Sequence, residues 1–237
     1  MGTCRAATFL SLCAVSVLLL GSASPNLAAQ SVNVTTWHQD IPAICTGCVY
    51  RTGQNLQESA LTNVNKSTFG QYCYYNLDGQ VFGQPLVVTN VQVNGTVHPI
   101  VVYVVTMNGS VYAFDGSPST PTNWPVGQCG YGQTQGPILQ KSLLSVVGSG
   151  STAASCAVLG GGGCITIAPN VGILGTPVVN ANTGGNTTTG TLYLVLESEL
   201  TNGTTITFSH TLFALDITSL AATATVPYSC TDQLPDW

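Results

Sequence analysis

The sequence predicts an all-β chain of antiparallel strands, and three observations carry this prediction. After the N-terminal segment, no sustained run places apolar residues at the three- and four-residue spacing of an amphipathic helix. Short β-branched and aromatic runs are instead separated by turn residues, which is typical of strands and hairpins. A pattern of three such strands then occurs twice along the chain, which indicates stacked β units.

The N-terminal segment has the layout of a secretory signal peptide. Arg5 precedes the apolar run Ala6–Leu20, and small residues follow that run. The run is shorter than the roughly 20 residues that a membrane-spanning helix needs. We therefore assign residues 1–29 to the signal, with cleavage after Ala23 or Ala29, and residues 30–237 to the folded part. The predicted location is secreted, periplasmic or cell-envelope, with no membrane span after signal removal.

The composition excludes nucleic-acid binding. Only 5% of the residues are charged, against about 25% in an average soluble domain. Four residues are basic, and the sequence pI is near 4.7. A nucleic-acid partner needs a cationic surface to neutralise phosphates, and the chain has none to offer.

The cysteines predict structural disulfides. Nine are present, of which two lie in the signal, and an exported chain forms disulfides in an oxidising compartment. Cys45 and Cys48 could be a redox pair, half a zinc site or a small disulfide loop; a zinc site would need a second pair, so we favour a disulfide. Cys156 and Cys164 flank a glycine run and form a second candidate bridge. The sequence does not fix which cysteines pair.

Two Asn-Gly turns predict a three-strand meander. Asn94-Gly95 and Asn108-Gly109 separate the apolar runs Gln84–Val93, Val97–Val105 and Ser110–Asp115. Asn-Gly favours type I′ hairpins because that turn requires positive φ at both central residues.

The meander recurs later in the chain. The repeated segments, first copy before second, are Gly83–Val88 and Gly175–Val179, Val102–Val105 and Leu192–Val195, and Val111–Asp115 and Leu212–Asp216. The central strands are apolar on both faces, which predicts that both faces are covered. Propeller blades meet this condition because each lies between two others, whereas sandwich sheets leave one face wet. The sequence thus predicts a partial β-propeller with antiparallel four-stranded blades, comprising about two blades plus flanking outer strands.

The segment Pro125–Val171 separates the two units and is rich in Gly, Ser and Ala. Loops of this length are either functional or loosely ordered. We expect a flexible connection held by disulfides, with Trp124 beginning the outermost strand of the first blade.

Several segments resemble proteins with pyrroloquinoline-quinone-type propeller repeats, the quinoprotein alcohol dehydrogenase-like fold. The resemblance covers most of Val34–Ser219. The segments that carry it are Trp37–Asp40, Arg51–Asn55, Leu61–Asn65, Asp78–Pro85, Tyr112–Asp115, Gly172–Pro177 and Phe213–Asp216. The chain is most similar to exported bacterial members with a Gly-Ile-x-Gly-Thr-Pro segment. It departs from them in an insertion that carries Cys45 and Cys48, and at Asn170, where a carboxylate is expected.

The resemblance implies one possible chemistry. In quinoprotein dehydrogenases a quinone lies at the propeller axis, calcium polarises it and a carboxylate acts as base. This chain lacks the adjacent cysteine pair of the alcohol dehydrogenases. Asp115 and Asp216 recur at strand ends, and we interpret them as turn caps rather than calcium ligands. Glu197 and Glu199 are interpreted as a solvated hairpin arm.

No catalytic, cofactor-binding or metal residue is assigned from the sequence. His38, His98 and His210 have no Ser or Asp at a spacing that suggests a triad. We favour an exported scaffold that binds protein or glycan. The alternative is a dehydrogenase that uses pyrroloquinoline quinone and calcium, with catalytic residues mostly beyond this chain.

The chain stops at Pro235–Trp237, partway through a predicted blade. We expect an N-terminal fragment whose partners include the remaining propeller blades. The other explanation is that several copies assemble to close the ring.

Overall fold

The computed structural model describes residues 33–37, 75–116, 136–156, 167 and 169–228. The predicted signal peptide, Trp124, Cys45, Cys48 and Cys164 lie outside these residues. The described part is all-β, as predicted, with one short helix. No helix in these ranges has the length and apolar character needed to cross a membrane.

Ten strands and one helix succeed one another in the described residues. They are β1 Leu86–Val93, β2 Thr96–Val105, β3 Ser110–Asp115, β4 Leu139–Ser142, α1 Leu144–Val147, β5 Thr152–Ser155, β6 Asn170–Val171, β7 Val178–Gly184, β8 Thr187–Asn202, β9 Thr205–Asp216 and β10 Ala222–Tyr228. They join into one curled sheet.

The first meander is the antiparallel run β1–β2–β3–β4. Its first turn is as predicted, because Asn94 and Gly95 have φ of 50° and 83°. The second turn differs from the predicted type I′ form. At Asn108-Gly109 only the glycine has positive φ, 74°, and its N–H donates to the Thr106 carbonyl at 3.1 Å. A longer loop that ends in a left-handed glycine therefore joins these strands.

The second meander is the antiparallel run β7–β8–β9–β10. Its register reproduces that of the first meander, which confirms the repeat predicted from the sequence. The matching cross-strand rows are Leu86–Tyr103–Ala113 in the first and Val178–Tyr193–Ala214 in the second.

The expectation that Pro125–Val171 is a flexible connection is wrong for its described part. β4 pairs with β3, while β5 pairs with both β6 and β8. These strands are two to four residues long and lack a strong apolar pattern. They form because existing sheet edges offer unpaired backbone groups to them.

Residues 33–37 lie between the first strands of the two meanders. Val34 forms an antiparallel bridge to Val87 of β1, with both N–H···O distances at 2.8 Å. The Thr35 carbonyl accepts the N–H of Val179 in β7 at 2.7 Å. This segment thus ties β1 to β7 through backbone hydrogen bonds.

The two meanders share one hydrophobic core. One face of β1–β3 packs against one face of β8–β9, and the core residues belong to a single cluster. A buried hydrogen bond crosses this interface, in which the Tyr103 hydroxyl donates to the Ile217 carbonyl at 2.7 Å. Gly109 lies against Leu196, so that a Cβ at this glycine would come within 3.0 Å of the leucine side chain.

Candidate functional site

A carboxylate fixes the segment that leads into the first meander. Asp78 accepts hydrogen bonds from the Thr106 hydroxyl at 2.9 Å, from the Ser110 hydroxyl, and from the Asn108 amide at 3.3 Å. Burial raises the pKa of Asp78, but these hydrogen bonds outweigh burial and hold the pKa below its ordinary value. Because its oxygens are occupied by these donors, Asp78 is suited to anchoring this turn rather than to proton transfer.

The lead-in segment of the second meander reaches the same turn. Asn170 stands seven residues before Pro177, as Asp78 stands seven before Pro85, and its amide donates to the Asn108 side-chain oxygen at 3.4 Å. Gly172 lies so close to Met107 that a Cβ would clash with the Met107 carbonyl oxygen. The turn of the first meander is therefore held between two repeat-equivalent segments.

A histidine–aspartate pair lies at the opposite end of the first meander. His98 Nδ1 is 2.8 Å from Asp115 Oδ2, and both side chains are mostly buried. Sequence spacing missed this pair because the two residues meet across adjacent strands. Asp115 thus contacts a histidine of the adjacent strand, and its interpretation as a turn cap stays a prediction. Asp216 does cap its turn, accepting the Thr218 N–H at 2.6 Å.

The two glutamates of β8 are held by neighbours rather than solvated as expected. Glu199 accepts the backbone N–H of Ser155 in β5 at 2.9 Å. Glu197 lies 3.6 Å from His210 across the β8–β9 ladder. No group of three or more His, Cys, Asp or Glu in the described ranges could hold a metal ion.

Cys156 is the one predicted disulfide cysteine within the described residues. It is buried, and its sulfur lies 2.7 Å from the Ile167 carbonyl oxygen. Because Cys45, Cys48 and Cys164 lie outside these residues, both candidate pairings stay predictions.

The strongest candidate for a binding surface is one side of the second meander. Five apolar side chains share this side and are between 38% and 55% exposed. We call this the open face, and its residues are Val178, Tyr193, Val195, Leu212 and Val226. The prediction that β8 is covered on both sides is therefore wrong for the described structure, because Leu192, Leu194 and Leu196 are buried but the residues between them are not.

The open face has a covered counterpart in the first meander. The repeat relates Val178, Tyr193, Val195 and Leu212 to residues that are buried at the interface between the meanders. These counterparts are Leu86, Tyr103, Val105 and Val111. The tyrosines show the contrast directly: Tyr103 is 1% exposed, whereas Tyr193 is 38% exposed. Repeat-equivalent surfaces are thus covered in one meander and bare in the other.

Comparison of this chain with models of protein families, with curated proteins and with solved structures finds no match.

Proposed function

We propose that this chain is an exported β-propeller scaffold that binds another protein through its open face. The observation that carries the proposal is the repeat relation, since the counterpart of the open face in the first meander is buried against the second meander. Apolar side chains in contiguous rows mark protein interaction sites on soluble proteins. Because four of the five side chains of the open face are aliphatic and only Tyr193 bears a hydroxyl, a protein fits the face better than a glycan does.

The propeller assignment is supported by the arrangement of the meanders. Each has four antiparallel strands in sequential order, and apolar faces of the two meanders pack into one core. Neighbouring propeller blades share these properties. A parallel pairing of β1 with β8 also joins the two meanders into a single curled sheet, which separate blades do not require. The position of residues 33–37 between β1 and β7 also fits, because the first strands of neighbouring blades approach each other most closely near a propeller axis.

The size of the open face is sufficient for a specific contact when the partner contributes equally. Full burial of a Val, Leu or Tyr-sized apolar side chain stabilises by about 1.5–3 kcal/mol, so five half-exposed side chains offer on the order of 5 kcal/mol. Association costs about 4–15 kcal/mol in lost freedom. A partner must therefore bring an apolar face of similar extent, as the first meander does within this chain.

Export and disulfide formation belong to the same proposal. The signal-like segment and the cysteine content support both. Intact mass after alkylation without reduction would test them: we expect a mass lacking residues 1–23 or 1–29 and most thiols unlabelled. A full-length chain with all its thiols alkylated would contradict export.

Site-specific photo-crosslinking tests the binding function. A benzophenone amino acid at Tyr193 should yield a covalent protein adduct in cells that produce the chain, because this side chain lies in the open face. The same residue at Thr204, an exposed position in the β8–β9 turn, serves as the matched control and should yield none. A protein without adducts that oxidises an alcohol or sugar once quinone and calcium are added would contradict the proposal and favour the dehydrogenase.

A further inference from the structure

We propose that the partner of the open face is a second copy of this chain, which binds head to tail through the outer side of its first meander. This inference rests on the proposed function, because it names the occupant of the same face. We call the outer side of the first meander the receiving face; its residues are Val87, Val102, Val104 and Phe114.

The contact inside one chain is the template for this interaction. In that contact the inner face of β1–β3 covers one side of β7–β9. The covered residues of the second meander are Val179, Leu192, Leu194 and Leu215. The sequence repeat relates them, in that order, to the four residues of the receiving face. Each copy therefore has both surfaces of an interface that it already forms once within the chain. One surface is the open face of the second meander, and the other is the receiving face of the first meander.

An aromatic side chain packs on the receiving face, and a second copy would meet it. Tyr75 packs on Phe114 with ring centroids 5.3 Å apart and on Tyr112 at 6.4 Å. Tyr75 is itself 42% exposed. The partner's open face would therefore contact the outer side of Tyr75 together with the partly buried valines of the receiving face.

Charge supports a contact between these two faces. Neither the five residues of the open face nor the four of the receiving face carry a charge, so no ion is buried when the faces meet. The Glu197–His210 pair lies in the next row, at the margin of the open face. Association should therefore change little with sodium chloride, since screening acts on charges, and should strengthen in sulfate.

A head-to-tail contact has a consequence for the number of copies. Heterologous contacts form rings when the rotation closes, and propellers close with about 4–8 blades. Counting the two meanders that the structure describes, closed rings of this chain contain two, three or four copies.

Sedimentation velocity of the purified chain tests the inference. We expect a species of two, three or four copies for the parent protein. Val195→Glu, which places a charge in the open face, should raise the dissociation constant at least tenfold. Val146→Glu is the matched control, because Val146 is similarly exposed (40%) and belongs to α1 rather than to either face; it should leave the assembly unchanged. Circular dichroism confirms that each variant is folded.

Mapping of the crosslinks in the purified protein distinguishes a head-to-tail contact from a contact between two open faces. The benzophenone at Tyr193 should attach to the receiving face or to Tyr75 of another copy. Attachment to the open face of the other copy would overturn the head-to-tail arrangement, as would a parent protein that is monomeric at every soluble concentration. An adduct with a different protein in cells, together with a monomer when purified, would overturn this inference and leave the proposed function standing.

Discussion

The two meanders have matching sequences and registers, yet they differ in what covers them. In the first, Tyr103 is buried under the second meander and hydrogen-bonded to Ile217. In the second, Tyr193 occupies the same place in the ladder with no comparable cover. The difference teaches that repeat-equivalent apolar rows are buried only where another part of the sheet packs against them. This contrast supports the proposal that a partner covers the open face.

The largest expected effect contrasts neighbouring residues on opposite sides of β9. Phe213→Ala removes a fully buried ring at the interface between the meanders and should lower the free energy of unfolding by about 3–5 kcal/mol. Leu212→Ala, on the open face, should lower it by less than about 1 kcal/mol in dilute, monomeric protein. Chemical denaturation measures both. Equal losses of unfolding free energy for the two variants would show that the two sides of β9 are equally buried.

A second contrast concerns two glycines that lead into the second meander. Gly172→Ala would press a methyl group against the Met107 carbonyl and the Gly109 amide, both backbone atoms that cannot rotate away. We expect a loss of about 1–3 kcal/mol in unfolding free energy. At Gly175 no atom lies within 4 Å of the added carbon, so Gly175→Ala should be nearly neutral. Thermal denaturation of the two variants checks this. A Gly172→Ala variant as stable as the parent protein would contradict the close approach of Gly172 to the Met107 carbonyl.

The two tyrosines give a third contrast. Tyr103→Phe leaves the Ile217 carbonyl without its buried donor and should lower the free energy of unfolding by about 1–2 kcal/mol. Tyr193→Phe should have almost no effect on the monomer. Burial, and then the nearby Asp216, raise the pKa of Tyr103 above its ordinary value.

This pKa shift sets a pH dependence. Between the ordinary tyrosine pKa near 10 and the raised value, the unfolded chain binds fewer protons than the folded one, so stability falls as pH rises. We expect the parent protein to lose stability above about pH 10 more steeply than Tyr103→Phe does. Identical alkaline profiles would contradict the buried position of the hydroxyl.

The smallest expected effect is at the turn between β2 and β3, which contacts the segments that precede both meanders. Asp78→Asn removes the negative charge of a carboxylate that accepts three hydrogen bonds. The variant should lower the free energy of unfolding by about 1 kcal/mol at neutral pH. The value is low because the site is largely solvent-accessible. Since the folded pKa is lowered, the stabilisation is present above the ordinary aspartate pKa and is lost as pH falls through the folded value. The cost of the variant should therefore shrink in acid, and a cost independent of pH would contradict the role of the charge.

Local signals in the sequence were enough to predict the meanders and their repeat. The apolar runs and Asn94-Gly95 specify strands and a turn through short-range preferences. The strands β5 and β6 could not be predicted, because residues such as Ala153 and Asn170 become strand only when a sheet edge is beside them. Fold prediction therefore succeeded where the pattern is local and failed where pairing creates the element.

The site was less predictable for a related reason. His98 and Asp115 meet across two strands, and the donors to Asp78 come from a turn about thirty residues later. Such contacts depend on register and turn geometry rather than spacing. The apolar character of Tyr193 and Val195 was visible in the sequence, but whether a neighbour covers them depends on packing that the pattern does not encode.

Hydroxyl-radical footprinting of the natively produced protein tests the central claim, that the open face is covered by a partner, most directly. The modification rate of Tyr193 is compared with that of buried Tyr103 and with the rate of Tyr193 itself in the Val195→Glu variant. We predict that Tyr193 reacts nearly as slowly as Tyr103 in the native assembly and speeds up in the Val195→Glu variant. A Tyr193 that reacts equally fast in the native protein and in the Val195→Glu variant would show that the open face stays uncovered and would contradict the account.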